Sequence, residues 1–205
     1  MGLDREQVIG AAVELLDEGG LDRLTMRRLA ARLGVGAPTV YWHVGNKAAL
    51  LAAVADVILA RETGDLRSPM PTESWQGWLA DLAGRLRRAM LAHPDGARVV
   101  AAAHLSLAMA DATELAIRSL VDRRQTLREA RLRVLSVEAF TLGHVLQEQS
   151  PRLDEAEMKG FDLAAFAAAH PTVVRAIQEY FAAGRTADDL FADELAVVLG
   201  QSGRT

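Results

Sequence analysis

The stretch LTMRRLAARLGVGAPTVYWHVGNK, residues 24–47, decides the fold. Thr25 can cap a helix, because its hydroxyl accepts from an orphan backbone N–H. Met26, Leu29, Ala30 and Leu33 then form an apolar stripe at helical spacing. Gly34-Val35-Gly36 breaks that helix, glycine being the residue that closes a helix in the left-handed conformation. Pro38 suits the first turn of a second helix, where its missing N–H is not needed. Val40 and Val44 can pack inward, alongside Thr39, Tyr41, Trp42 and His43. Two short helices joined by a tight glycine turn form the motif whose second helix enters the major groove of DNA.

Charge points the same way. From Arg23 to Lys47 the charged residues are Arg23, Arg27, Arg28, Arg32 and Lys47, with no acid among them. The whole chain carries −4, so the positive charge is local. A basic patch on an acidic protein fits a phosphate-facing site better than a generally adhesive polycation. A solvated helix face over a small core would account for the charges alone, but not for the glycine turn and the aromatic–His cluster.

The remaining composition is that of an all-α protein. Half of the 205 residues are apolar but only 5% are aromatic, a mixture that favours closely packed helices. There is no cysteine, hence no disulfide framework and no thiolate metal site. No signal peptide is evident. The apolar runs 48–60 and 99–110 are interrupted by Asp56 and by His104 and Ser106, and are too short for a membrane span. A soluble, cytoplasmic protein is expected, with no membrane partner and no cofactor.

Breakers divide the chain. Asp4 can cap a first helix that ends at Gly19-Gly20. Asn46 can cap a fourth, running through Leu50, Val54, Val57 and Ile58. Pro69 and Pro71 mark a joint. A helix over 74–91 carries Trp75, Trp78, Leu79, Leu82, Leu86 and Met90, and Pro94 starts another. Residues 94–151 contain no further proline until Pro151, so long helices are expected, divided near Asp111 and near Arg123 to Gln125. Residues 150–162 read as an acidic, mobile loop. Pro171 opens a helix through Val174, Ile177 and Phe181 that Gly184 ends, and residues 188–199 form a last one. The stretch LRVLSVEAFTLGHVL (132–146) is apolar nearly all round, as is the last helix. Such helices are covered on more than one side, either within the subunit or by a second copy.

The chain resembles the TetR family of bacterial regulators. The resemblance is carried by VELLDEGGLDRLTMRRLAARLGV (13–35) and PTVYWHVGNKAALL (38–51). ESWQGWL (73–79), HPDGARV (93–99), FTLGHVLQEQ (140–149) and LFADEL (190–195) further resemble the tetracycline-repressor branch. This implies a helix-turn-helix DNA-binding domain over 1–46, a linker helix over 47–66, and a helical effector-binding and dimerisation domain over 67–205. It also implies a homodimer that represses by binding a palindromic operator on double-stranded DNA, with half-sites roughly 10 base pairs apart or near a multiple of that.

By the same resemblance, Arg27, Arg28, Ala37, Pro38, Thr39, Tyr41, Trp42, His43 and Lys47 occupy DNA-contacting positions, although Trp42 could instead be core. Ala37 stands where the tetracycline-repressor branch has a base-reading glutamine, so a different operator sequence is expected. In that branch, drug and magnesium are held by His, Asn, Phe, Gln and Glu side chains. The matching positions here read Thr63, Leu82, Leu86, Val100, Ala116 and Gln147. Leucine and valine offer no ligand to Mg²⁺, so no metal site is expected. The replaced pocket is drawn from Trp78, Leu82, Leu86, Met90, Val100, Ala103, His104, Met109, Leu135, Glu138 and Gln147. Either it takes a small, largely apolar effector other than tetracycline–Mg, or it is a filled core. A tetracycline-responsive repressor and a ligand-independent regulator acting through a protein partner remain as alternatives. An enzyme is not expected: there is no GxSxG elbow, and GVGAPT follows a helix where a dinucleotide fingerprint needs a strand.

Overall fold

A computed structural model describes residues 2–151 and 160–201. Among these residues the chain is all-helical, with eleven helices and no strand. They fall into two compact units, residues 1–149 and 150–205.

The first unit begins with α1 (Arg5–Arg23), opened by a capping box in which Asp4 accepts from the Gln7 N–H and the Gln7 side chain accepts from the Asp4 N–H. Val8, Ala12 and Leu16 bury its inner face, and the helix kinks at Gly19–Gly20, where its expected end lies. Next come α2 (Met26–Arg32), α3 (Ala37–Val44) and α4 (Lys47–Thr63). Asn46 caps α4, accepting from the Ala49 N–H at 2.9 Å. Eight of its residues are buried, from Leu50 to Leu59, because α4 packs against α1, α5, α6 and α7. Val57, on the same helix, faces outward at 47% exposure.

Ser74 caps α5 (Trp75–Leu91), whose Trp78, Leu79, Leu82, Leu86 and Met90 form a fully buried stripe. Two short connections then bracket α6 (Gly96–Ala102), followed by α7 (Leu107–Val121) and α8 (Leu127–Glu148). The expected break near Asp111 is corrected: Asp111 sits on the exposed side of α7, and the break falls at 103–106 instead. The physical reason is capping. The Met109 N–H donates to Ser106 Oγ, while Asp56 on α4 accepts from the Ser106 hydroxyl (2.7 Å) and the Ala108 N–H (3.0 Å). The second break is where expected, with Thr126 and Glu129 forming a capping box at the start of α8.

The apolar circumference of α8 is only partly covered. Ala130, Val134, Val137, Thr141 and Val145 are buried, whereas Leu132 is 53% exposed. The second unit contains α9 (Leu163–Ala169), α10 (Pro171–Ala182) and α11 (Ala187–Val198), the last opened by a Thr186–Asp189 capping box. Ile177 and Phe181 on α10 and Val197 and Val198 on α11 are exposed. Residues 152–159 of the expected 150–162 loop lie outside the described residues. No single helix among those described is long and apolar enough to cross a membrane.

The reader domain is tied to the rest of the first unit. The expected boundaries at 46 and 66 fall inside that unit, because α1 and α4 both pack on α6. The segment 93–96 makes the connection. His93 Nδ1 lies 2.6 Å from Asp17 Oδ1 on α1, and the Asp95 carboxylate accepts from the Leu21 N–H at 2.9 Å. From the other side the Gln149 amide donates to the Met90 and His93 carbonyls, and its oxygen accepts from the Ala97 N–H. Gly96 is required there, since a Cβ would sit 2.1 Å from the Met90 carbonyl oxygen.

Candidate nucleic-acid interface and ligand cavity

The reader is a helix-turn-helix in the strict geometric sense. Thr25 Oγ1 accepts from the Arg28 N–H, as its sequence position predicts. The turn closes with the Val35 N–H on the Ala30 carbonyl and the Gly34 N–H on the Ala31 carbonyl, the paired bonds of a Schellman ending. Gly34 takes φ 66° to make them, a conformation that disfavours any residue with a Cβ. Pro38 lies in the first turn of α3, and Gly45 at φ 75° ends it.

That local framework orients the recognition side chains. Val40 and Val44, one turn apart, are buried against the reader's small core. Tyr41 and Trp42 are turned outward as a result. Trp42 is 82% exposed and meets His43 edge-on at 4.7 Å, so it is not a core residue. Pro38 and Thr39 are exposed at the start of the same helix, with Ala37 half-buried. Arg27 and Arg28 on α2 and Lys47 at the start of α4 are exposed, and no ion pair engages them among the described residues. Arg32 differs. Its guanidinium contacts Glu14 at 3.1 Å and also pairs with Glu18, contacts that raise its pKa further, so its charge is already matched by α1. Within the basic run Arg32 is therefore paired within the fold, whereas Arg27, Arg28 and Lys47 stay exposed.

A second site lies among α5, α6, α7 and α8. A cavity of about 370 Å³, open to solvent, is lined by Leu86 and Met90 of α5, Val100 and Ala101 of α6, Ala103, His104 and Ser106 of the connector, Met109 of α7, and residues of α8. The α8 contribution comprises Leu135, Glu138, Ala139, Thr141 and Leu142. Thus Leu86, Met90, Val100, Ala103, His104, Met109, Leu135 and Glu138 come together as expected. Three expected residues do not line it. Trp78 is buried elsewhere, its indole N–H donating to the Arg67 carbonyl at 2.9 Å. Leu82 is fully buried one turn before Leu86, inside the core. Gln147 is exposed near the end of α8, beyond the cavity-facing turns. Ala101, Ser106, Ala139, Thr141 and Leu142 were missed. The last two lie three and four residues after Glu138 on one helix face, a spacing that could have found them.

Glu138 is the chemically distinctive wall residue. The Thr113 hydroxyl lies 2.6 Å from its Oε1 and 2.8 Å from the Met109 carbonyl. Burial pushes the Glu138 carboxyl above the ordinary carboxylate range, opposed by the Thr113 hydrogen bond. His104 is exposed, and among the described residues no cluster of three His, Cys, Asp or Glu side chains could hold a metal.

Comparison with known proteins places this geometry. Residues 8–54 match the family described as bacterial regulatory proteins, tetR family, and residues 68–200 match the tetracyclin repressor-like C-terminal domain. Over 147 residues the chain is 45% identical to the class D tetracycline repressor protein of Escherichia coli, covering 72% of this chain and 67% of that protein. A tetracycline repressor variant from Acinetobacter baumannii AYE, solved in complex with minocycline, superposes with a TM-score of 0.71 at 32% identity, covering 97% of this chain and 96% of that one. BioQ, solved with its natural double-stranded DNA operator, gives a TM-score of 0.63 at 34% identity, covering 74% of this chain and 90% of that one. An exposed recognition helix on a glycine turn, joined to a helical domain of matching sequence, makes this chain a member of the TetR family of bacterial regulatory proteins and a DNA-binding transcriptional regulator.

Proposed function

We propose that the protein is a dimeric repressor that binds a palindromic operator and is released by a small, largely apolar effector other than tetracycline–Mg. The observation that carries the DNA half is the outward face of α3: Tyr41 and Trp42 exposed, flanked by Arg27, Arg28 and Lys47 with no acid spent on them among the described residues. Cationic side chains there would neutralise phosphates and fix register, while the α3 side chains meet base edges. Ala37 can offer only apolar contact, so the operator differs from one read by an amide at that position.

Dimerisation supplies two readers at a fixed spacing, and uncovered apolar side chains support it. Leu132 on α8 and, separately, Val197 and Val198 on α11 are exposed, on helices that also carry buried apolar groups such as Val134 and Val137 or Phe191 and Leu195.

Coupling follows from differential binding. A ligand releases DNA only if it favours a reader spacing that the operator does not. Two bonded routes run from the cavity to the reader. Ser106 of the cavity wall is held by Asp56 of α4, which continues to α3. Val100 and Ala101 lie on α6, whose preceding loop is bonded to α1 through His93 and Asp95. Coupling of about 1–3 kcal/mol would change operator affinity roughly 5- to 150-fold.

A tetracycline–Mg effector is the second reading, favoured by the relatives' names. The cavity fits it poorly. Its walls offer one carboxylate, one exposed histidine and two hydroxyls bonded elsewhere amid leucine, valine, methionine and alanine, whereas Mg²⁺ demands several oxygen ligands in near-octahedral array. The test is operator selection from random DNA, followed by titration of the selected site with and without tetracycline plus Mg²⁺. A palindromic site that tetracycline–Mg leaves bound is the expected result. Release at micromolar tetracycline–Mg would overturn the effector reading, and failure to select any site at moderate salt would overturn the DNA reading.

A further inference from the structure

The cavity holds a carboxyl group with no counter-charge. Around the cavity that holds Glu138 the walls are Leu86, Met90, Val100, Met109 and Leu135, and the other polar lining groups are His104 and the hydroxyls of Ser106 and Thr141. Those hydroxyls are committed elsewhere. Thr141 donates to the Val137 carbonyl at 2.7 Å, and Ser106 donates to Asp56 at 2.7 Å. The Thr113 hydroxyl has one proton and two acceptors in reach, the Met109 carbonyl and Glu138 Oε1. No cation pairs with Glu138 among the described residues. The lining includes no Phe, Tyr or Trp, so Glu138 is the feature there that could attract a cation, in the absence of a cation–π face. The facing elements α5, α6 and α7 contribute no titratable side chain to the lining. The connector contributes His104, which is exposed, and Asp56 stands behind Ser106.

We infer that this cavity takes an amphipathic monocation: an apolar body against the leucine, valine and methionine walls, with one ammonium or guanidinium group paired with Glu138. This rests on reading the cavity as the effector site. A half-buried acid with a single shared hydroxyl is poorly solvated, and a ligand cation supplies the charge-assisted partner that the protein withholds. A neutral ligand would leave the acid enclosed without that partner. An anion would be repelled. The volume of about 370 Å³ lies at the lower end of the range for small-molecule sites. Burial works against the charged form of this carboxyl, and a ligand cation at its side would work in the opposite direction.

The experiment compares three probes of nearly one shape on the full chain by fluorescence titration: (naphthalen-1-ylmethyl)ammonium, its neutral carbon isostere 1-ethylnaphthalene, and naphthalene-1-acetate. The expected order is cation, isostere, anion, with the cation about tenfold or more tighter than the isostere. Glu138→Gln should remove that advantage while the isostere still binds. Equal binding of cation and isostere to the native protein overturns the charge assignment and leaves the effector cavity standing. So does a cation preference that survives in Glu138→Gln. Failure of all three probes to bind overturns the cavity reading and this inference with it. Should Glu138→Gln not fold, the order of the three probes on the native protein decides.

Discussion

Trp42 and Glu138 reach their positions by opposite means. Trp42 is exposed because Val40 and Val44 are buried one helical turn apart, which turns the residue between them outward. Every signal that builds this arrangement, from the Thr25 cap to Gly34 and Gly45, lies within the same short stretch. Glu138 is enclosed by side chains from four elements, and its hydrogen-bond partner Thr113 is 25 residues away. A recognition surface can be local because water covers it. A polar group inside a cavity acquires its character from whatever packs over it, so its chemistry is a property of the assembly.

The largest expected effect lies where these two regions meet. Gly96→Ala would drive a Cβ to 2.1 Å from the Met90 carbonyl oxygen, beside the segment that bonds to α1. Backbone there cannot yield as a side chain tip would, so a loss of about 3 kcal/mol or more is expected in urea unfolding. Native-like stability would show that the two regions are less rigidly joined than the geometry indicates.

Trp42→Ala tests the local side of the contrast. Operator affinity should fall by about 1–3 kcal/mol, the range for a good base contact, while unfolding stability stays within about 0.5 kcal/mol of wild type. A marked loss of stability would mean that Trp42 is structural after all.

Glu138→Gln tests the assembled side through pH. The folded pKa of Glu138 is raised, so the folded state holds this proton more tightly than the unfolded chain does. Stability contributed by the protonated form is present below the ordinary carboxylate range and is lost as pH rises through the raised value. The variant should therefore melt above wild type near neutral pH, with the gap closing in acid. A pH-independent difference would remove burial as the cause.

The smallest effect separates two arginines of one helix. Arg28→Ala should lower the salt dependence of operator binding by about one phosphate contact. Arg32→Ala should leave that slope unchanged and lower stability only slightly, because its charge is already matched by Glu14 and Glu18 on the surface. Equal slopes for the two variants would return Arg32 to the DNA face.

The fold was legible wherever helix ends carry their own signals. Asp4, Thr25 and Asn46 cap helices that begin where those residues predict, and the helices expected from 74 and after the break at 123–125 start at caps of their own, Ser74 and Thr126. Reading failed at Asp111, because an exposed acid inside a helix breaks nothing, while the real break is stabilised by Asp56 from another helix. The expected cavity was partly right for the same kind of reason. Leu86, Leu135 and Glu138 share the faces that their spacing implies, whereas Trp78, Leu82 and Gln147 are rotated or displaced away from it.

Order along the chain was thus enough to establish most helices, several of their caps and the glycine turn, since each depends on neighbours within about one turn. Which arginines stay free, where α7 begins, and why one glutamate stands without a counter-charge were settled only by tertiary packing. Those features depend on contacts between residues 14 to 52 positions apart, and no local pattern encodes such distances.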